Sequence, residues 1–205
     1  MDKKIIEMLK LYRPIWLYLY NKLKFHLFPF SKIETYIPKK GFIIDLGCGH
    51  GLLANLLGLT SDQREVLGLE INKNRIKYAN IGIKNTKFIS GDITKIDIPQ
   101  ADHIIFTHVL HHLTTYEAQE SLLKACHNKL KLGGSLIILE VARTPKWKFL
   151  ISWFADKTLY PFEKINFRSV ENLKTLLDKC KFNVDVIPID NGSIFSHILF
   201  IAKKS

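Results

Sequence analysis

The chain has 205 residues, of which 47% are hydrophobic, and carries a net charge of +11 with a pI near 9.5. This length and composition predict one domain with a full core. The charge suits nucleic acid, an anionic membrane or an acidic substrate, and alone selects none of them. Three widely spaced cysteines exclude a disulfide framework and a CxxC metal site, and favour a reducing compartment.

Residues 1–40 are aromatic and basic, with nine Lys or Arg against three acids, which is +6 of the net charge. Apolar residues recur near helical spacing, and Pro14 is expected to start or kink a helix. This segment is either a helical cap packed on the domain or a cap that also touches a membrane interface. No signal peptide is evident, and the run Pro14 to Asn21 is too short to span a bilayer. We expect a cytoplasmic protein, either free or peripheral on the inner membrane face.

From residue 41 the pattern alternates strand and helix. Alternating units of this kind predict a doubly wound, mostly parallel α/β sheet, with a C-terminal hairpin supplying an antiparallel strand. Thr114 and Glu117 have capping-box spacing, Ser169 is a candidate N-cap, and Gly133-Gly134 should end a helix. Predicted strands are 42–46, 65–70, 86–90, 102–107, 135–141, 182–189 and 194–202; predicted helices are 51–58, 73–79, 115–131 and 169–180. The turn Asp190-Asn191-Gly192 should join the last two strands.

The stretch Ile43 to Gly51 indicates a buried strand, a tight turn and a helix, with glycines at alternate positions that let a ligand approach the backbone. A dinucleotide fingerprint needs G-x-G-x-x-G, but Leu52 occupies its third glycine position. Asp45 would repel a pyrophosphate and hold an amine. S-adenosylmethionine (SAM) has an amine and no phosphate, so it fits this turn better.

Other polar residues end the following strands, where ligands bind in such sheets. Glu70 ends the second strand and could accept both ribose hydroxyls. After the third, Asp92 could take the adenine amino group while Ile93 covers the ring. For any one acid a helix cap or surface charge is the simpler interpretation. Suitable residues at four successive strand ends, the fourth carrying Thr107 and His108, favour a site.

This combination resembles the class I SAM-dependent methyltransferases of the small-molecule and lipid type, over residues 41–205. The resemblance rests on Asp45 to Gly51, Gly68-Leu69-Glu70, Gly91-Asp92-Ile93, His108 to Leu113 and Leu130 to Ser135. It implies a Rossmann-like seven-stranded sheet behind an N-terminal helical cap at 1–40, with an acceptor lid at 143–168. It also implies that SAM is held by a set that comprises Asp45, Gly47, Cys48, Gly49, Gly51, Leu52, Glu70, Ile71, Asp92, Ile93, Thr107 and His108.

Methyl transfer to an acceptor oxygen or acidic carbon also needs a base. His108, His111 and His112 are candidates because histidine titrates near neutral pH, and Glu140 is another. Each histidine could equally serve only to order its loop. His108 and His112 are i, i+4 apart, but the sequence places no third ligand, so no metal is expected.

Residues 143–168 combine six basic residues with seven aromatic ones. With the N-terminal segment they are predicted to form a lid, whose aromatic residues either build its own core or contact an apolar acceptor. Candidate acceptor residues are Trp16, Tyr20, Arg143, Trp147, Trp153 and Tyr160. A lipid, polyprenyl or aryl- or acyl-chain acceptor is favoured, and an anionic membrane surface is a candidate partner.

Two alternative functions stay open. Positive charge alone favours an RNA methyltransferase, whereas the missing Asp/Asn-Pro-Pro-Tyr and Pro-Cys motifs make DNA an unlikely substrate and weigh only mildly against RNA. A SAM-binding partner protein without catalysis would have the same cofactor residues. The acceptor atom and the oligomeric state are not encoded in any motif.

Overall fold

A computed structural model describes residues 2–159, 161–189 and 193–204. Within them seven strands form one sheet in the order β3-β2-β1-β4-β5-β7-β6. The pairs β1–β2, β2–β3 and β4–β5 are parallel, and β7 runs antiparallel to both β5 and β6. This confirms the predicted mostly parallel α/β sheet with antiparallel pairing at its C-terminal end. The chain divides into two compact units, residues 1–97 and 98–205, which are described in turn.

The first unit contains three N-terminal helices and the first three strands. Asp2 caps the first helix by accepting the Lys4 N–H, Pro14 precedes the second as predicted, and Asn72 caps the fifth by accepting from Asn74 and Arg75. Its elements are α1 (Lys3–Lys10), α2 (Ile15–Leu27), α3 (Phe30–Tyr36), β1 (Gly41–Leu46), α4 (Leu52–Thr60), β2 (Arg64–Glu70), α5 (Lys73–Ala79) and β3 (Thr86–Ser90).

A buried amide ties this unit together. Asn55 on α4 donates to the Tyr12 hydroxyl at 3.0 Å and to the Ala79 carbonyl at 2.8 Å, and it accepts from the Thr86 hydroxyl at 3.3 Å. The amide is fully buried, so its polar atoms need these partners. The network holds the segment between α1 and α2, where Tyr12 lies, together with α4, α5 and β3, and thus fixes α4 where the glycine turn ends.

The second unit contains the remaining strands and helices. Ser169 caps α8 by accepting from the Asn172 N–H, as predicted. A short 3-10 helix, Leu110–His112, follows β4. The other elements are β4 (Ala101–Thr107), α6 (Tyr116–Lys129), β5 (Leu130–Val141), α7 (Lys146–Leu159), α8 (Val170–Lys179), β6 (Phe182–Pro188) and β7 (His197–Lys204). The predicted turn at 190–192 lies outside the described residues.

Two local predictions in this unit are wrong. The cap of α6 is Thr115, which accepts from the Ala118 N–H, so the Thr114–Glu117 capping box does not form. The helix ends at Lys129, and Gly133-Gly134 lie inside β5. A Cβ at Gly134 would lie 2.6 Å from the Asp102 carbonyl oxygen. That glycine therefore allows close backbone approach within the sheet rather than stopping a helix.

Candidate functional site

The glycine turn after β1 uses its glycines for different reasons. Gly47, Gly49 and Gly51 have φ values of 76°, 59° and 71°, which side chains of L residues rarely adopt. A Cβ at Gly51 would lie 2.7 Å from the Phe88 ring, whereas one at Gly49 would meet nothing within 4 Å. Gly51 is thus required by packing, and Gly49 borders open space. The turn ends at Leu52, the buried first residue of α4.

Glu70 is held against this turn by backbone donors. Its Oε2 accepts the Gly49 N–H at 3.0 Å and its Oε1 accepts the Asn72 N–H at 2.9 Å. The Gly47 and Cys48 N–H groups donate to the Leu69 carbonyl at 2.8 and 2.9 Å. Each carboxylate oxygen keeps a second lone pair, so Glu70 can still accept hydroxyl groups of a ligand.

Asp45 is fully buried at the end of β1. Within the described residues neither of its oxygens makes a hydrogen bond of standard geometry. The pKa of this carboxyl is raised to about 7, mainly by burial and also by the charge of Glu70, while Lys24 and the Ala54 N–H act in the opposite direction. A buried carboxyl with unsatisfied oxygens fits a ligand that brings a positive charge and N–H donors.

Asp92 makes a local structural contact. Its Oδ1 accepts the Thr94 N–H at 2.9 Å and the Thr94 hydroxyl at 2.6 Å, and its Oδ2 lies 3.4 Å from Lys95 Nζ. The Thr94 bonds, with Lys95, hold the pKa of Asp92 below its usual value. Ile93 is half-buried and Ile71 is exposed. The adenine contacts of these residues stay predictions.

Sequence reasoning missed a cation from α2 near this turn. Lys24 is partly buried; burial and Arg75 lower its pKa, and the charges of Asp45 and Glu70 oppose that shift. Burial also lowers the pKa of His50 to about 4. Lys24 lies among many lysines in the N-terminal segment, and no local pattern distinguishes it.

Two predicted acceptor residues on α2 contact aromatic groups of the first unit. The Tyr20 ring lies 5.7 Å from the His50 ring and the Trp16 ring lies 6.0 Å from Tyr78, both edge-to-face. His50 belongs to the glycine turn, and Tyr78 lies on α5. These contacts pack α2 against the turn, while Trp16 and Tyr20 keep substantial exposed surface.

The end of β4 in the second unit carries a histidine pair. Thr107 is half-buried, and His108 adopts a left-handed φ of 55° while its N–H donates to the Leu139 carbonyl at 2.9 Å. Its ring lies 5.1 Å from the buried His197 ring at the start of β7. His197 was not predicted, because a histidine at the edge of an apolar strand carries no motif.

The most polar part of the second unit is a carboxylate–histidine cluster, defined as His111, His112, Glu140, Asp156 and Glu163. His111 is buried, and its Nδ1 lies 2.5 Å from Glu140 Oε2, while Glu140 Oε1 accepts the Leu110 N–H at 3.0 Å. His111 Nε2 lies 3.5 Å from Asp156 Oδ2. His112 Nδ1 lies 2.9 Å from Glu163 Oε2.

The charges of this cluster shift its pKa values in opposite directions. Burial lowers the pKa of His111, but Glu140 and then Asp156 and Glu163 outweigh it and raise the pKa overall. Burial and the neighbouring His111 lower the pKa of His112 to about 4. Burial raises the pKa of Asp156. The structure thus brings together three predicted catalytic residues, His111, His112 and Glu140, and adds Asp156 and Glu163.

The predicted acceptor residues of the second unit that the structure describes lie on α7 or just before it. Arg143 donates to the Phe167 carbonyl at 2.5 Å, and Trp147 and Trp153 expose about half of their surface. Trp153 lines an apolar groove of about 470 Å³ with Leu150, Ile151, Phe154, Ala155 and Phe195. Tyr160 lies outside the described residues. The groove supplies an apolar surface that could take a hydrocarbon chain.

Comparison with known proteins gives similarity to methyltransferases. A sequence model described as a methyltransferase domain matches residues 44–138. O-methyltransferase 12 of Dictyostelium discoideum is 25% identical over 181 residues, which cover 84% of this chain and 46% of that protein. Demethylmenaquinone methyltransferase of Thermotoga maritima is 28% identical over 127 residues, covering 61% of this chain and 54% of that protein. The matched domain and these relatives support a class I SAM-dependent methyltransferase.

Solved structures agree with this methyltransferase fold. A SAM-dependent methyltransferase from Methanosarcina mazei matches with a TM-score of 0.67 at 20% identity, covering 87% of this chain and 98% of that one. An O-methyltransferase family 2 protein from Planctomyces limnophilus, in complex with apigenin, matches with a TM-score of 0.71 at 17% identity, covering 86% and 57%. The chain spans about half the length of the Dictyostelium relatives it matches.

SAM is the cofactor that the matched methyltransferase domain implies, and the first unit fits it. Three features of the turn after β1 fit SAM. Gly49 borders open space, Asp45 is a buried carboxyl whose oxygens lack a hydrogen-bond partner among the described residues, and Glu70 is an acceptor held in place by the Gly49 N–H. A cation with an amine matches Asp45, and ribose hydroxyls match Glu70. Burial raises the pKa of the Cys48 thiol, which keeps it neutral beside these acids.

Proposed function

We propose that the protein transfers a methyl group from SAM to a small-molecule acceptor. The observation that carries the proposal is the anchoring of Glu70 to the Gly49 N–H beside the buried Asp45. SAM supplies a methyl group on a positively charged sulfur with its own leaving group. The protein therefore contributes mainly by positioning: Asp45 holds positive charge, and Glu70 accepts hydroxyl groups.

The second unit is proposed to serve the acceptor. An acceptor hydroxyl or acidic carbon must lose a proton when it is methylated. We assign that proton to the carboxylate–histidine cluster, where Glu140 orients His111 through Nδ1 and leaves Nε2 directed at Asp156. His108, beside His197, is the alternative proton acceptor. Glu140 acts as the positioning residue for His111.

The proposed acceptor has an apolar part. The groove on α7 has an almost entirely apolar lining, to which Trp153 contributes. Trp147, on the same helix, is also exposed. Relatives are named as O-methyltransferases and as a demethylmenaquinone methyltransferase. A lipid, polyprenyl or aryl- or acyl-chain acceptor matches this surface better than a polar metabolite. We also propose a cytoplasmic location with peripheral contact to anionic membrane.

Calorimetric titration with SAM tests the cofactor part. Gly49→Ala places a methyl group in the open space at the turn and should weaken SAM binding at least tenfold. Gly82→Ala is the control: Gly82 also has a positive φ, of +88°, and also meets nothing within 4 Å, so alanine is strained there too but outside the turn. Equal losses in both variants would contradict cofactor binding at this turn.

Formation of S-adenosylhomocysteine tests the reaction. The protein should turn over with a phenolic or prenylated quinol acceptor in detergent and not with RNA. Turnover on RNA alone, with salt-dependent RNA binding, would instead support the nucleic-acid alternative. Tight SAM binding without turnover on any acceptor of the panel or on RNA would contradict the proposed small-molecule reaction and favour a SAM-binding partner protein.

A further inference from the structure

In the buried part of the carboxylate–histidine cluster, two hydrogen-bond acceptors, His111 Nε2 and Asp156 Oδ2, face each other. The state of the His111 ring follows from its contact with Glu140. Glu140 accepts the Leu110 N–H with one oxygen and binds His111 Nδ1 with the other. A carboxylate that accepts a backbone N–H holds a proton on the facing His111 Nδ1. In the neutral imidazole, Nε2 then carries a lone pair.

That lone pair points at another anion. His111 Nε2 is a buried atom without a hydrogen bond of standard geometry among the described residues, and Asp156 Oδ2 lies 3.5 Å from it. Two acceptors facing each other in a buried place need a positive charge between them, which either a proton on Nε2 or a metal ion can supply. His111 is only 2% exposed, so bulk water does not screen this contact.

A second histidine completes the arrangement. One ring nitrogen of His112, one of His111 and one carboxylate oxygen of Asp156 all lie within 4.8 Å of one another. Ligand atoms around a tetrahedral zinc ion are about 3.3 Å apart, given bond lengths of about 2.0–2.1 Å. The His111–Asp156 pair already has nearly that separation at 3.5 Å, and the His112 nitrogen lies within 4.8 Å of both and would have to move closer on binding.

We propose that this cluster binds one divalent transition-metal ion of the zinc type through His111, His112 and Asp156. Two imidazoles and one carboxylate are a donor set that suits such ions and not Mg²⁺ or Ca²⁺, which prefer oxygen ligands. Glu140 fixes the His111 ring through its other nitrogen, the carboxylate–histidine arrangement that supports metal ligands elsewhere.

The metal site revises the sequence-based expectation of no metal. That expectation paired His108 with His112 and lacked a third ligand, because Asp156 is distant in sequence and reaches the site only through the fold of α7. Three protein ligands leave one position of a tetrahedral ion for water or an acceptor oxygen. With the ion bound, His111 Nε2 is a ligand, and a coordinated acceptor hydroxyl would lose its proton more easily.

Metal binding can be measured without SAM or acceptor, so its outcome is separate from that of methyl transfer. Chelator-treated protein is titrated with Zn²⁺ by calorimetry and with Co²⁺ by visible absorption, which reports the coordination geometry. We expect one ion per chain and a Co²⁺ spectrum of low coordination number. Absence of binding by the wild type, or a spectrum of six-coordinate aqueous Co²⁺, would overturn the proposal.

Variants locate the ion among the eight histidines of the chain. Asp156→Asn keeps the shape of the side chain, removes its charge and should weaken Zn²⁺ binding at least tenfold. Asp178→Asn, which affects an exposed aspartate paired with Lys174 on α8, is the matched control and should bind as wild type. Equal affinity in both variants would place the ion elsewhere and overturn the site.

Glu163→Gln provides a second variant if Asp156→Asn proves unstable. Glu163 contacts His112 at 2.9 Å from an exposed position, so its replacement leaves the buried packing intact. Loss of such an orienting carboxylate lowers metal affinity by roughly 10-fold or more. A folded Glu163→Gln protein that binds Zn²⁺ as tightly as wild type would remove His112 from the ligand set.

Discussion

At the scale of single residues, two opposing effects act on the charge of Asp45. A carboxylate there suits a cationic ligand, yet full burial disfavours its charge and raises its pKa to about 7. Without SAM, Asp45 is therefore half-protonated near neutral pH. A bound cation would restore the ionised form, so cofactor binding and proton release are coupled at this residue.

Proton release on SAM binding is the first prediction. Near pH 6.5 the protein should release a substantial fraction of one proton per SAM bound, and near pH 8.5 almost none, because Asp45 is by then ionised in the free protein. Calorimetry in buffers of different ionisation enthalpy measures the released protons. Asp45→Asn should abolish the release and weaken binding; an unchanged release in that variant would assign the proton to another group.

The same residue makes the stability of the cofactor-free protein depend on pH. The folded pKa of about 7 lies above the ordinary value of 3.8, so the folded state binds more protons between them. The stabilisation by neutral Asp45 is complete below about pH 4 and is lost as pH rises through 7, a change of about 4 kcal/mol. Urea unfolding should show this slope in the wild type, and a flatter profile in Asp45→Asn. Parallel profiles would contradict the assignment.

Sequence could predict some site residues and not others for a physical reason. Asp45 and Glu70 end buried strands, so local pattern and the geometry of parallel sheets place them at one edge. Lys24, His197 and Asp156 reach polar groups through contacts between distant parts of each unit. No period or spacing marks such residues, because the fold and not the local chain brings them together.

At the scale of elements, the fold around the glycine turn depends on a buried arginine. Arg64, the first residue of β2, donates to Glu34 at 2.7 Å and to the carbonyls of Pro38 at 2.8 Å and Ile37 at 2.7 Å. Its side chain is fully buried. These bonds fasten α3 and the segment before β1 to the start of β2, beside the strand that carries Asp45.

Replacing Arg64 should destabilise the protein strongly. Arg64→Leu removes the buried cation from Glu34, which keeps only Lys39 and Thr60 as donors, and takes the Arg64 donors from the Pro38 and Ile37 carbonyls. Breaking a buried pair of this kind costs about 3–5 kcal/mol. Lys87→Met is the matched control, because the Lys87–Glu65 pair on neighbouring strands is exposed at 3.9 Å and should contribute about 1 kcal/mol or less. Chemical unfolding compares the two; a similar small loss in both would contradict the role of Arg64.

Element boundaries show where local pattern is ambiguous. The alternation of strands and helices, and most of their end residues, follow from the spacing of apolar residues, because that spacing differs clearly between a strand and a helix. Thr114 and Thr115 are equally good caps by residue type, and only the geometry selects Thr115. Gly133-Gly134 would suit a helix end as well as a close contact between strands. They lie in a strand, where the Asp102 carbonyl oxygen leaves no room for a Cβ at Gly134.

At the scale of the whole molecule, the chain combines a positive net charge with exposed apolar side chains in each of its two units. The chain carries +11, and both α2 and α7 expose large apolar side chains. Within the described residues, no helix combines the length and apolar character needed to cross a bilayer. The exposed set on α2 comprises Ile15, Trp16, Leu19, Tyr20 and Leu23, and that on α7 comprises Trp147, Leu150, Ile151, Trp153 and Phe154. Such faces beside basic residues are typical of contact with an anionic membrane surface.

Co-sedimentation with vesicles tests the proposed contact with an anionic membrane. The protein should bind vesicles of anionic phospholipid at low salt and detach as salt is raised, because about 1 kcal/mol per basic residue is screened. Leu150→Ser with Phe154→Ser should reduce binding about tenfold or more, since both side chains expose most of their surface on α7. Leu132→Ser, which replaces a side chain that is 84% exposed in β5, is the control and should bind as wild type. Failure to bind anionic vesicles at low salt would contradict membrane contact, and equal losses in the α7 variant and the control would remove α7 from it.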